Sequence, residues 1–101
     1  AGMILSNEPG FYAEGKWGIR IENLIIVEPR KIAGGDRAML GFETITLAPM
    51  DPKLIDTKLM DQDEIDWLNA YHARVREELM PYLDAAEQKW LKNATKKLGK
   101  K

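Results

Sequence analysis

The apolar positions of this chain change their period partway along. Up to about residue 48 they come in short, β-branched runs, and beyond residue 61 they recur every three or four positions. In the first regime, residues 3–8 read as a strand that the Pro9-Gly10 pair ends. Proline holds the residue before it extended, so Glu8 is expected at the strand's end with its side chain held out. Residues 13–16, Ala-Glu-Gly-Lys, predict a turn. A second strand follows over 18–27, carrying Ile19, Ile21, Ile25, Ile26 and Val27. The stretch 28–40, with Pro29 and the Gly34-Gly35 pair, is looser. A third strand is predicted over 42–48, broken by Pro49 and Pro52.

In the second regime, Asp61 and Glu64 have the spacing of a capping box at a helix start. Ile65, Leu68, His72, Val75 and Leu79 then mark one face of a helix that Pro81 terminates or kinks. A second helix is expected over 82–93, with Leu83, Ala86, Trp90 and Ala94 on one side. The last residues, 96–101, form a basic tail expected to be frayed and disordered. The fold class is therefore α+β: antiparallel strands over 1–50, a helical extension over 51–95, then the tail. Because a strand-like run begins almost at the first residue, the chain reads as a piece whose upstream part is missing.

Composition narrows the partners. At 101 residues, with 45% hydrophobic and 31% charged, the chain is that of an ordinary globular domain. A net charge of -1 argues against a general nucleic-acid binder, and the basic tail is too local to change that. No apolar run has membrane-spanning length, so no membrane partner is expected. With no cysteine and no signal-like start, a cytoplasmic location fits.

Glu8 and Glu22 are the informative pair. If the first two strands form a hairpin about Gly15, positions whose numbers sum to 30 face each other, as these two do. Like charges directly opposite are destabilising in a ladder. The strand of Glu22 is apolar on both sides through Ile21, Leu24, Ile25 and Ile26, so both its faces are expected to be covered, and a bare carboxylate there is costly. A shared proton, a cationic partner or a metal ion would each resolve the conflict. Arg20, two residues before Glu22, supplies the partner in one reading: a structural Arg-Glu pair with Glu8 solvated. In the other, the carboxylates form a metal or acid-base site.

The remaining candidates favour packing. His72 lies among apolar helix positions, and Trp67 and Trp90 read as packing or interface anchors. The acidic stretch Asp51, Asp56, Asp61, Asp63 and Asp66 lacks the glycine-centred pattern of a calcium loop. No Gly-x-Ser-x-Gly nucleophile setting and no phosphate-cradling glycine loop is present.

The runs Ser6-Asn7-Glu8-Pro9-Gly10-Phe11-Tyr12 and Gly18-Ile19-Arg20-Ile21-Glu22-Asn23 resemble the last two signature segments of the aminopeptidase P and prolidase group, which shares the pita-bread fold with creatinase and methionine aminopeptidase. The block Phe42-Glu43-Thr44-Ile45-Thr46-Leu47-Ala48-Pro49 resembles that domain's last strand. Leu54-Ile55-Asp56 and Trp67-Leu68-Asn69-Ala70-Tyr71-His72 resemble the C-terminal extension of the longer aminopeptidase P proteins. The resemblance implies an Xaa-Pro aminopeptidase acting on peptides with proline in second position, with two divalent ions, usually Mn2+. It implies Glu8 as a ligand that also exchanges a proton, Glu22 as the carboxylate bridging both ions, and Tyr12 and Arg20 as outer-shell supports. Three further ligands, two aspartates and a histidine, lie upstream of the Asn-Glu-Pro-Gly segment in that family. Asp36 and His72 stand in the wrong order to replace them, so the piece alone is expected to hydrolyse nothing. The helical extension in that family helps form a homodimer, and the face from Ile65 to Leu79 fits either that role or core packing within one subunit. A non-catalytic binding relative, or a prolidase- or creatinase-like hydrolase, is the alternative.

Overall fold

The computed structural model describes residues 1–100. Five strands precede two helices: β1 (Ile4–Asn7), β2 (Gly10–Ala13), β3 (Trp17–Arg20), β4 (Asn23–Arg30), β5 (Met39–Thr44), α1 (Gln62–Leu79) and α2 (Ala85–Ala94). The α+β class and the strands-then-helices order are as the sequence predicts.

The predicted first strand ends ahead of Pro9-Gly10, as expected, and a further short strand, β2, follows it; the predicted second strand is divided into β3 and β4. Proline removes one donor and bends the chain at residue 9, yet the ladder keeps its register across the bend. Ile4 faces Ile26 and Asn7 faces Asn23 on one side of it; Gly10 faces Arg20 and Ala13 faces Trp17 on the other. Between them the Ile21 N–H donates to the Pro9 carbonyl at 3.0 Å. Gly15 closes the hairpin with φ 69°, a left-handed conformation that a side chain would strain.

Strand β4 lies between β1 and β5, antiparallel to both. It runs to Arg30, through Pro29, which the sequence reading left in a loop. Proline is tolerated there because β4 pairs with β1 only as far as Ile26, leaving the Pro29 nitrogen on an unpaired edge. Strand β5 starts at Met39 and ends at Thr44, earlier at both ends than the predicted 42–48. After it, the Leu24 N–H donates to Thr46 Oγ1 at 2.7 Å.

The chain divides into two compact units, Ala1–Thr46 and the part from Leu47 onward. Every buried side chain among the described residues lies in the second unit. Its core is Leu68, Tyr71 and Val75 of α1 with Leu91 of α2, and Ile65 and His72 are buried on the same helix. This is the predicted α1 face. Because Ile65, Leu68 and Val75 pack inward, they are not a surface free for a second subunit.

Both helices start with a reciprocal capping box. Asp61 accepts from the Glu64 N–H while Glu64 accepts from the Asp61 N–H, at 2.8 and 2.9 Å, and Asp84 and Glu87 repeat the arrangement. Helix α2 therefore begins after Asp84 rather than at residue 82, and Met80–Tyr82 forms a 3₁₀ turn around Pro81. The buried side is also not the predicted one: Leu91 and the C-cap Thr95 point inward, while Ala86 and Trp90 are exposed.

The tail is held where fraying was expected. The Asn69 side chain donates to the Leu98 carbonyl and accepts from its N–H, both at 2.8 Å, and Lys100 Nζ donates to the Met60 carbonyl. Arg76 Nη1 donates to the Thr95 carbonyl and hydroxyl at 2.8 and 2.9 Å, closing the end of α2.

Candidate functional site

The sum-of-30 register decides the site. On one face of the β2–β3 hairpin stand Gly10 and Tyr12, opposite Arg20 and Gly18. The same alternation carried across the Pro9 bend puts Glu8 and Glu22 next in line on that face. Both glutamates sit at the strand break, outside the regular ladder, where each side chain is free to turn towards its neighbours.

Arg20 lies between the carboxylates. Its Nε donates to Glu22 Oε2 at 3.0 Å and stands 3.8 Å from Glu8 Oε1. Ser6 Oγ donates to the other Glu8 oxygen at 3.1 Å. Hydrogen bonding with Tyr12 first, and with Glu22 second, raises the Arg20 guanidinium above its ordinary pKa. The guanidinium is thus held to the carboxylate at the break through its Nε.

The expected burial of this strand is not found. Ile21 is 49% and Leu24 44% exposed, and the glutamate side chains are about as open, at 44% for Glu8 and 41% for Glu22. Desolvation does not drive the arrangement within this chain. The like charges are accommodated by the cation between them, and such exposed ion pairs contribute little to stability. Among the described residues, no group of three or more His, Cys, Asp or Glu side chains converges as a metal cage would. Two carboxylates side by side remain, both acceptor-only oxygens of the kind hard divalent cations take.

His72 lies in the helical unit and is a packing residue. Its Nε2 accepts from the Met50 N–H at 3.0 Å, which makes the ring neutral with its proton on Nδ1; that buried Nδ1 has no partner. Beside it the Tyr71 hydroxyl donates to the Ala48 carbonyl at 3.1 Å and accepts from the Ala48 N–H at 3.3 Å. Together the two side chains pin residues 48–50 to α1. Trp67 stacks on Tyr71 with ring centroids 5.4 Å apart, while Trp90 borders an apolar groove of about 420 Å³ with Pro49, Leu79, Leu83 and Leu91.

Sequence reasoning did not foresee the two glycines on the glutamate face, although the register that pairs Glu8 with Glu22 also pairs Tyr12 with Gly18. The Asn69 and Arg76 contacts have no sequence signal beyond residue type.

Antiparallel strands with this paired-glutamate break, followed by a capped helical extension, are the C-terminal part of a pita-bread fold. The chain belongs to the M24 metallopeptidases: residues 1–29 match the model of metallopeptidase family M24, and residues 38–98 match that of the C-terminal region of peptidase_M24. It is 50% identical over 100 residues to aminopeptidase P1 of Lotus japonicus, covering 96% of this chain and 15% of that protein. It is 45% identical over 102 residues to aminopeptidase P2 of Arabidopsis thaliana, covering 98% and 14%. The crystal structure of an X-prolyl aminopeptidase from Caenorhabditis elegans, described as a cytosolic enzyme with a di-nuclear active site, superposes with a TM-score of 0.85 at 39% identity, over 94% of this chain and 16% of that one. The chain thus spans roughly 14–16% of the length of these relatives.

Proposed function

We propose that the whole protein is a dinuclear-metal aminopeptidase that removes an N-terminal residue preceding proline, and that this segment supplies two of its metal ligands, Glu8 and Glu22. The observation that carries the reading is the pair of carboxylates on one sheet face, drawn together by Arg20 within segments that resemble the aminopeptidase P signatures. The donor set fits hard divalent cations such as Mn2+. Two such ions, when bound, lower the pKa of a water and polarise the scissile carbonyl.

The residues of this chain then have separate tasks. Glu8 takes a proton from the attacking water and returns it to the leaving proline nitrogen. Glu22 would hold the cations together with Glu8. Arg20 orients the two carboxylates, and Tyr12 fixes Arg20. With only these two donors in place, the 101-residue chain by itself is inactive, and the other three ligands come from the rest of the catalytic domain. The exposed apolar strand residues Ile4, Ile21, Leu24 and Phe42 support that arrangement, since such surface is normally covered by a partner.

No described helix is long and apolar enough to cross a membrane. Like the nematode neighbour, the whole protein is proposed to be cytosolic. It is proposed to be a homodimer, and any contact through the helical unit would use exposed side chains such as Trp90 and Tyr82 rather than the inward face of α1.

Calorimetric titration of Mn2+ into this chain, beside Glu8→Ala/Glu22→Ala, tests the division of ligands. Weak or absent binding in both, together with Xaa-Pro cleavage by the full-length protein that either substitution abolishes, is the expected result. Tight binding of two ions by the chain alone would overturn it.

A further inference from the structure

We infer that Gly18 is a positioning residue of the site: its missing side chain opens the slot in which the Tyr12 ring lies, and the ring sets Arg20 between Glu8 and Glu22. The link to catalysis rests on the function proposed above; the slot itself does not.

A Cβ placed on Gly18 would stand 2.6 Å from Tyr12 Cδ1 and 3.2 Å from Cε1. These atoms belong to the inner edge of the ring, so no small rotation of a flexible end relieves the clash. Gly10 forms the other end of the slot: its added Cβ would meet the Tyr12 hydroxyl at 2.8 Å and Cζ at 3.0 Å. The ring therefore lies flat across two glycine backbones, one directly opposite in the ladder and one two residues earlier on its own strand. Neither glycine is needed for backbone conformation, because the left-handed glycines are Gly2, Gly15 and Gly34. What the fold requires at 10 and 18 is the absence of a side chain.

The opposite face of the same hairpin is filled, with Phe11 and Trp17 in contact at a ring separation of 5.2 Å. The vacancy is thus confined to the glutamate face. Tyr12 is 65% exposed, so no core holds it. Its position depends on the glycine floor beneath, and its hydroxyl end lies beside Gly10, the ladder partner of Arg20. Lifting the ring changes the surroundings of a guanidinium that is anchored to a proposed metal ligand.

Two measurements test this. By NMR on the 101-residue chain, the Hα protons of Gly10 and Gly18 should be shifted upfield by the overlying ring, and Tyr12→Leu should abolish the shift. Gly18→Ala should move the Arg20 Nε–H resonance while leaving α1 and α2 unchanged; an unmoved Arg20 resonance overturns the inference. In the full-length enzyme, Gly18→Ala should lower kcat by about 10- to 100-fold, the usual range for losing support to a ligand, while KM changes by less than about threefold. Tyr12→Phe should lose a similar amount, and the double variant should lose no more than either single one. Additive losses, or wild-type kcat in Gly18→Ala, overturn the assignment. Should that variant not fold, Gly10→Ala, which meets only the hydroxyl end, must show the same selective loss of kcat, and wild-type kcat there overturns it equally. Absence of Xaa-Pro cleavage by the unmodified enzyme would remove the proposed function, while the resonance shifts would still decide the slot.

Discussion

Arg20 and His72 show how differently a charge is handled in the two units. Arg20 is a planar fork held by Glu22, half open to solvent, and its contribution is geometric rather than stabilising. Replacing it by lysine keeps the charge and discards the fork. Arg20→Lys is therefore expected to leave the melting temperature of the chain unchanged and to cost the full-length enzyme about 10- to 100-fold in activity; an enzyme assay beside a thermal melt checks both. His72 presents the reverse case. Burial first, and the positive charge of Arg76 second, lower its pKa from the usual 6.5, so the folded chain binds the proton less readily than the unfolded one. Below that pH the unfolded state gains protons and the folded state loses ground. Protonating Nε2 would also cancel its acceptance from the Met50 N–H. The helical unit should melt at progressively lower temperature as pH falls from 7 towards 5. The slope should flatten in His72→Gln, which does not titrate; an equal slope in both proteins would remove His72 as its source.

At the scale of elements, what was legible in the sequence is what local chemistry dictates. Asp61 and Glu64 announced α1, and the same Asp-x-x-Glu spacing at Asp84 and Glu87 marks the true start of α2, a signal hidden because Tyr82 and Leu83 look like a continuation of the apolar pattern. Asp61→Ala and Asp84→Ala should each cost about 1 kcal/mol of cap stabilisation, lowering the helical unit's melting temperature by roughly 4–8 °C; unchanged melts would mean that packing alone holds the helix ends. The hairpin register was legible too, since Gly15 can take the left-handed turn and everything else follows by counting. The division of the predicted second strand at residues 21–22 was not, because the break lies opposite Pro9 and only the pairing reveals that. Nor was the exposure of Glu22 predictable from its apolar neighbours, which here cover no core. The Leu98 anchor needed Asn69, a residue 29 positions away in sequence, and no local pattern reports such a contact.

For the molecule as a whole, the uneven distribution of core sets the dynamics. The unit Ala1–Thr46 contains no buried side chain among the described residues, and its strands are held by ladder hydrogen bonds that water can reach. The second unit closes its helices over Leu68, Tyr71, Val75 and Leu91 and ties its tail back through Asn69. Local stability follows buried apolar contact, so the two parts should open at different free energies. Amide hydrogen exchange on the isolated chain is expected to protect α1 and α2 most strongly, with β1 and β5 exchanging by a lower-energy opening. A peptide spanning 47–100 should keep the helical circular dichroism of the parent, although at this size the margin is small. Uniform protection across both units would mean that the sheet is stabilised by contacts other than buried side chains. Covering the sheet should abolish the difference: in the full-length enzyme the exchange of β1 and β4 should slow towards that of α1, because the apolar strand faces would then be buried against the rest of the catalytic domain. That slowing would tie the openness of the sheet to the incompleteness of the site, since Glu8 and Glu22 stand at the break in the same strands.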